Sequence, residues 1–544
     1  MPHAMMQMPL LISGLIAHAA RFHGDTEIVS VETDGQITRS NWSTVERNAR
    51  RLANALLKLG LVPGDRCGTI AWNNLRHLEL YFGVPGAGMI CHTINPRLSP
   101  RTLEFVLRDA ADRILFVDRT FLSFAADVLP KLEDLQHVVL MGPRDDEAAA
   151  QIKGLLFYDE LLETGSEAFP WPDLDENAMS SLCYTSGTTG HPKGVGYTHR
   201  STLLHTLVVG GTDLMAVSAR DTVLPAVPMF HVNAWGVPYI AARQGARLVL
   251  PGPFLDGDSL ARLIEAEGVT LSLGVPTIWM GLLAALRNSR TDVSKMKRAI
   301  VGGSALPPTM LAAFRDEFGI ELIHAWGMTE TSPVGTLNQL KSKHLTLGTA
   351  RQAELRLGQG RPPYGVDLRI VGKDGRSLPH DGVTDGKLQI RGHWIVQSYF
   401  GAEEDALTPD GWFDTGDIAT LDADGFMVIR DRAKDLIKSG GEWISSVELE
   451  NIALAHPDVA NAAAIGAKHP KWDERPVIVA VPATGRIINE NNLLAWFDGK
   501  IPHWQKPDAI VVVDALPLGA TGKVLKNQLR DCYANILLQD QRAK

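Results

Sequence analysis

Stretches with apolar residues at helical spacing alternate with short apolar runs through most of this chain. The segment "WSTVERNARRLANALLKLGL" (42–61) puts its apolar residues on one helical face and ends at Gly60, a residue type that stops helices. A turn and a strand-like run, "PGDRCGTIAWN", come next. The same helix-then-strand order returns in "RTLEFVLRDAADRILFVDRTF" and "LARLIEAEGVTLSLGVP". Such alternation predicts an α/β architecture with largely parallel sheets.

At 544 residues the chain exceeds one ordinary domain, given about one per 150 residues. With 45% hydrophobic and 21% charged residues it has ample core for a globular protein. The 53 basic and 62 acidic residues leave a formal charge of -9, which argues against a nucleic-acid surface as the main partner. No run approaches the roughly 18 unbroken apolar residues of a membrane span. Residues 1–24 contain a short apolar run without a basic leading region, read as an amphipathic helix starting near Leu10 rather than a signal peptide. Cys67, Cys91, Cys183 and Cys532 are scattered, with no CxxC or Cys/His ligand spacing, so neither a disulfide framework nor a zinc site is expected. Reduced, mostly buried thiols fit a cytoplasmic protein. The character changes near residue 430, where a strand, a charged turn and a Gly-Gly pair lead into a helix; a domain boundary is expected at 432–434.

The stretch "YTSGTTGHPKG" (184–194) can neither form a good helix nor fill a core. It follows a strand-like end, Ser181-Leu182-Cys183-Tyr184, and is rich in hydroxyls. A loop of small donors ending in a lysine is suited to wrapping phosphate oxygens; the competing reading is an ordinary surface turn. A Walker A loop is excluded, because Lys193 is followed by Gly194 rather than by Ser or Thr, and Pro192 precedes it.

"LCYTSGTTGHPKG" resembles, without a gap, the phosphate-loop signature of the AMP-forming adenylating enzymes, the superfamily of acyl-CoA synthetases, luciferases and peptide-synthetase adenylation domains. Further stretches follow in that family's order. "HAWGMTE" (324–330) resembles its adenine and magnesium motif, and "GWFDTGDIATLDADGFMVIRDRAKDLIKSGGEWIS" (411–445) its ribose and hinge motifs. "ATGKVLK" (520–526) resembles its C-terminal lysine motif. The resemblance spans nearly the whole chain and implies a large N-terminal adenylating body of layered sheets and helices, residues 1–431. A small mobile α+β C-terminal domain, residues 432–544, would turn about a hinge near Lys434.

Adenylation accounts for these residue types. A carboxylate is a poor acyl donor because its leaving group is oxide. Attack on the α-phosphorus of ATP makes an acyl-adenylate and expels pyrophosphate, which is work for positioning and charge. The resemblance implies that Thr185, Ser186, Gly187, Thr188, Thr189 and Lys193 contact the phosphates. It puts Gly302, Gly303, Ser304, His324, Ala325, Trp326, Gly327, Met328 and Thr329 at the nucleotide. Glu330 would hold Mg2+, with Thr188 as a further candidate, and Asp417 would accept the ribose hydroxyls beside Arg432. Lys523 would reach the carboxylate and the α-phosphate; with Thr185, Lys193, Glu330 and His231 it makes the catalytic set. Outside the motifs these residues read otherwise: Lys193 as a solvated lysine, Thr329-Glu330 as a helix start, Asp417 as a turn residue, Trp326 as core. Two departures from the family stand out, Trp326 in place of a tyrosine and Leu518-Gly519 where Pro-Arg or Pro-Lys is frequent.

"PMFHVNAWG" (228–236) resembles the family's acyl-pocket segment, with His231 the gate beside the carboxylate. Val232, Trp235, Gly303, Gly327 and Pro333 complete the expected pocket, and the volume of Trp235 argues for a short or medium acyl chain. No cation stands out to receive a second carboxylate, so an apolar tail is favoured. For the second half-reaction the resemblance assigns Lys434, Lys438, Gly440, Gly441, Glu442, Trp443 and Glu474 to the lid and to CoA. Within the family the chain most resembles bacterial medium-chain fatty-acid CoA ligases and methylthiopropionate-CoA ligases, on "NNLRHLELYFGVPGAGMICHTINPRL" (73–98), "PMFHVNAWG" and "IKSGGEWIS". The expected reaction joins a carboxylic acid to CoA at the expense of ATP with Mg2+, in a homodimer by resemblance to relatives. The rivals are loading of a carrier-protein thiol in trans and a sensor with degraded catalysis, against which the retained Lys193, Glu330, Asp417 and Lys523 speak.

Overall fold

The computed structural model describes residues 5–185, 191–440, 442–519 and 523–539. The expected helices and strands form where the pattern placed them. Trp42–Lys58 is helical, with Asn41 as its N-cap accepting from the Thr44 N–H, and Gly60 closes it at a φ of 90°. Pro100–Ala110 leads into the strand Ile114–Val117, and Gly257–Glu267 into Leu271–Gly274. The amphipathic N-terminal segment becomes the helix Ile12–His23, starting two residues after Leu10.

Two large sheets make the body. In the first, the strands Leu156–Phe157, His137–Leu140, Ile114–Val117, Arg66–Ile70, Ile90–Thr93 and Met179–Tyr184 lie parallel in that order, and Gly194–Thr198 adds an antiparallel edge. In the second, the inner strands Glu321–Gly327, Arg298–Val301, Leu271–Gly274, Thr222–Pro225, Arg247–Leu250 and Glu27–Val31 are parallel, between the antiparallel edges Val334–Leu337 and Ile37–Asn41. Buried side chains of both sheets, Cys67 and Cys91 from one and Leu248 and Leu271 from the other, share a core with the helices Ile12–His23, Trp42–Lys58, Leu75–Gly86 and Val237–Gln244. Parallel strands covered on both faces are nearly continuous in apolar residues, which is why they appear in the sequence as short unbroken runs.

A four-stranded antiparallel sheet, Val366–Val371, Gly386–Gly392, Phe413–Leu421 and Met427–Arg432, stands against the body. Its side chains join Tyr197 and Trp326 in one buried cluster. The strand Met427–Arg432 then leads to the small domain, an α+β unit with its own core around Ile437, Leu449, Ile478 and Phe497. Gly440, at φ 62°, follows Ile437–Ser439, which pairs antiparallel with Glu442–Ile444. The expected helix, Ser446–Leu454, then begins under a Ser445 cap.

Polar groups fasten this domain to the last strand of the body. Ser445 Oγ donates to Arg430 O at 2.6 Å, and the Ser446 N–H donates to Asp431 Oδ2 at 2.6 Å. Lys526 Nζ reaches Ser446 Oγ at 2.6 Å and Glu450 Oε1 at 2.7 Å. No described helix is long and apolar enough to cross a membrane. Removing one member of the largely buried Lys526–Glu450 pair leaves the other charge without compensation. Lys526→Met is therefore expected to lose about 3 kcal/mol in chemical denaturation, and the double change Lys526→Met/Glu450→Leu to regain most of it.

Candidate active site

One cavity of about 540 Å³ lies between the second sheet, the four-stranded sheet and the small domain. Of the expected site residues, Thr185, Lys193, His231, Val232, Trp235, Gly302, Gly303, Ala325, Trp326, Gly327, Met328, Thr329, Glu330, Pro333, Arg432, Lys434 and Lys523 line it. They come from parts of the chain more than three hundred residues apart. Ser186, Gly187, Thr188, Thr189 and Gly441 lie outside the described residues.

The phosphate-loop candidate is pinched at its neck. The Thr185 N–H donates to Lys193 O at 2.9 Å, and the Lys193 N–H donates to Thr185 Oγ1 at 3.0 Å. Lys193 Nζ stands 4.6 Å from the centre of the Tyr399 ring, a cation over an aromatic face. The same Tyr399 hydroxyl donates to Glu330 Oε1 at 2.9 Å. Tyr399 thus joins the two charges, a role with no signal in the sequence, where it sits in an unremarked "QSYFG". Glu330 occupies a single 3-10 turn, Thr329–Thr331, whose Thr329 carbonyl accepts from Tyr197 Oη at 2.7 Å.

Asp417 is 1% exposed and does not border the cavity. It accepts from Trp326 Nε1 at 3.0 Å on one oxygen and faces Arg432 Nε at 2.7 Å on the other. Burial pushes its carboxyl above the usual range, opposed by Arg432 and by the indole N–H. The Trp326 N–H thus serves the buried carboxylate. His324 is buried and its ring approaches the carbonyls of Leu357 (2.8 Å) and Ser304 (3.4 Å); neither His324 nor Ser304 borders the cavity. Burial holds the His324 ring below its ordinary pKa.

Two glycines are required by close approach. A Cβ on Gly327 would lie 1.7 Å from Pro333 O, and one on Gly302 would lie 2.8 Å from the Trp235 ring. His231 begins an unusual turn in which Val232, Asn233, Ala234 and Trp235 all have φ between 44° and 57°. Such left-handed residues cost roughly 1–2 kcal/mol each. Burial lowers the His231 ring to about 4, with Lys523 adding to the effect, so the imidazole is neutral near pH 7. Lys523 reaches into the cavity toward Gly303, whose built Cβ would stand 3.8 Å from Lys523 Cε. It is accessible from the cavity, yet the surrounding protein lowers its ammonium to about 8. Arg432 and Lys434 add to this lowering, and Asp417 and Glu330 oppose it.

Apart from Lys434, the described lid candidates lie elsewhere. Lys438 pairs with Asp473 at 3.5 Å and its N–H donates to Glu474 Oε2 at 2.9 Å, while Glu442 and Trp443 are exposed. None of Lys438, Gly440, Glu442, Trp443 and Glu474 borders the cavity that holds Lys523. Among the described residues no cluster of three or more His, Cys, Asp or Glu could form a metal cage. Mg2+ needs no such cage, being held by one or two carboxylates together with substrate phosphates, and Glu330 fits that pattern.

The model of the AMP-binding enzyme family matches residues 15–400, and that of the AMP-binding enzyme C-terminal domain matches residues 448–523. A 3-methylmercaptopropionyl-CoA ligase of Ruegeria lacuscaerulensis is 60% identical over 98% of this chain and 99% of its own length. A medium-chain-fatty-acid–CoA ligase of Ectopseudomonas oleovorans is 53% identical, with 98% of each chain covered. The crystal structure of an anthranilate CoA ligase in complex with anthranoyl-AMP shares the fold, with a TM-score of 0.87 at 24% identity over 98% of this chain and 99% of that one.

Gly327→Ala must displace the turn that carries Thr329 and Glu330. It is expected to weaken ATP binding at least about tenfold in a direct titration and to cost roughly 1–3 kcal/mol in chemical denaturation.

Proposed function

The chain belongs to the AMP-binding enzyme family, and on that premise we propose that it is an acid–thiol ligase. It converts ATP and a short- or medium-chain carboxylic acid to an acyl-adenylate and pyrophosphate, then transfers the acyl group to CoA with release of AMP. The observation that carries this reading is the convergence of Lys193, Glu330, His231 and Lys523 on one cavity.

Each residue has a physical task in that reading. Lys193 balances charge on the departing pyrophosphate, and the pinch between Thr185 and Lys193 fixes where its loop begins and ends. Lys523 lies between the carboxylate and the α-phosphate, where a fixed cation in a partly dehydrated site is worth far more than one in water. A neutral His231 borders the acid without adding a charge that would hold it in its ground state. Glu330 would hold Mg2+, which when bound would supply Lewis-acid screening of the phosphates. Asp417, which the sequence suggested as a ribose ligand, is buried and instead keeps Trp326 and Arg432 in place at the cavity wall.

The apolar end of the cavity, with Trp235, Val275, Ile278 and Val334, suits an uncharged tail. The names of the relatives support a small sulfur-containing acid or a medium straight-chain one. Lys523 in the cavity and the Gly440 region outside it support a conformation suited to adenylation. Rotation near Lys434 would then bring the Lys438–Trp443 segment in for the thiol step.

The test is AMP formation from ATP and Mg2+ across straight-chain acids of two to twelve carbons and 3-methylmercaptopropionate, with and without CoA. Abundant AMP only with CoA, peaking at one acid, is the expected result; no acid-dependent AMP would sink the reading. Lys523→Ala should slow adenylation at least a hundredfold (~3 kcal/mol) while ATP binding survives. A lysine lowered to about 8 is charged below that pH and neutral above it. Hence kcat/KM for adenylation should fall as pH rises through about 8, and Lys523→Arg should remove that alkaline limb.

A further inference from the structure

We infer that the buried side-chain amide of Asn233 is a positioning residue that sets which acids the cavity accepts. It holds the left-handed turn in which Val232 and Trp235 face the acid, and it fastens that turn to the strand entering the phosphate loop. The inference rests on the ligase reading and goes beyond it, because Asn233 does not border the cavity.

The turn needs an external tie. Four consecutive residues other than glycine occupy the left-handed region, and Val232 is β-branched, for which that region is especially unfavourable. Among the four, Asn233 is the type that best tolerates this conformation. Backbone strain of this kind persists only where surrounding structure over-determines it.

The tie is the Asn233 amide, which is 4% exposed. Its Nδ2 donates to Ser181 Oγ at 2.9 Å. Its Oδ1 lies 3.3 Å from the Tyr81 hydroxyl and 3.5 Å from Cys183 Sγ. Ser181 and Cys183 are on the same face of the strand Met179–Tyr184, and Thr185 at the neck of the phosphate loop follows in register. The acyl wall and the phosphate loop are thus joined through one buried amide.

The segment that enters the turn is held in the same manner. Asn73 donates from Nδ2 to Pro225 O and Val227 O, each at 2.9 Å, and accepts from the Met229 N–H at 2.7 Å. Tyr81 Oη also donates to Met229 O. The stretch between Pro225 and the turn is therefore fixed by Asn73 and Tyr81, and Asn233 decides where Trp235 points against Gly302.

The experiment compares wild type, Asn233→Gly, Asn233→Ala and Ser181→Ala in CoA-dependent AMP formation over acids of two to twelve carbons. Asn233→Gly removes the amide while relaxing the backbone. It should raise the acid KM at least about tenfold and shift or flatten the chain-length optimum, with the ATP KM within about threefold of wild type. Asn233→Ala should do the same or more, because it adds backbone strain. Ser181→Ala leaves the turn's own residues intact and should move acid KM and chain-length profile in the same direction by less. If Asn233→Gly fails to fold, Ser181→Ala decides alone. A wild-type profile in Asn233→Gly, or in Ser181→Ala when it stands alone, overturns the inference while an active wild type upholds the ligase reading. Wild-type protein that forms no AMP with any acid overturns both.

Discussion

A carboxylate removed from water must be compensated, and the placement of Asp417 organises the whole active-site region around that need. Its two oxygens are met by Trp326 from the second large sheet and by Arg432 from the last strand of the four-stranded sheet. Desolvation of a lone buried carboxylate is costly enough that the group would give up its charge. With both partners present it remains a fixed point between two sheets. Arg432 is also the last residue before the segment that leads to Lys434 and the small domain, so this ion pair sets where the small domain departs from the body.

Charge is divided across the cavity by burial as much as by residue type. Lys523 carries a cation that costs something to keep, and its lowered value of about 8 is the sign of that cost. His231 has given up its charge altogether near pH 7. Lys193 and Glu330 are kept apart yet aligned by one tyrosine, whose ring faces the ammonium while its hydroxyl binds the carboxylate. Cations, a neutral ring and the Glu330 carboxylate thus border one cavity.

Much of this was legible in the sequence, for identifiable reasons. The helix–strand alternation is a local pattern, and Trp42–Lys58 and Ile114–Val117 formed where their periodicity put them. Lys193, Glu330 and Lys523 were singled out by the family motifs they stand in, which are local stretches of sequence, and all three border the cavity. Asn233 stood inside a quoted motif without a role, because its partners Tyr81, Ser181 and Cys183 are distant in the chain. Tyr399 carried no signal for the same reason. The helix expected after the Gly-Gly pair forms at Ser446–Leu454, but the pairing of two three-residue strands around Gly440 is a contact that composition cannot announce.

The sequence by itself determined which segments become strands, which loops carry small donors and lysines, and therefore which chemistry is available. Those properties depend on neighbours within a few residues, through backbone preference and periodic burial. Only the tertiary structure decided that Asp417 is buried between Trp326 and Arg432. It also decided that His231 is neutral and that Lys523 rather than the Gly440 segment faces the cavity. Desolvation and hydrogen-bond completion are set by what the fold brings around a group, from any distance along the chain.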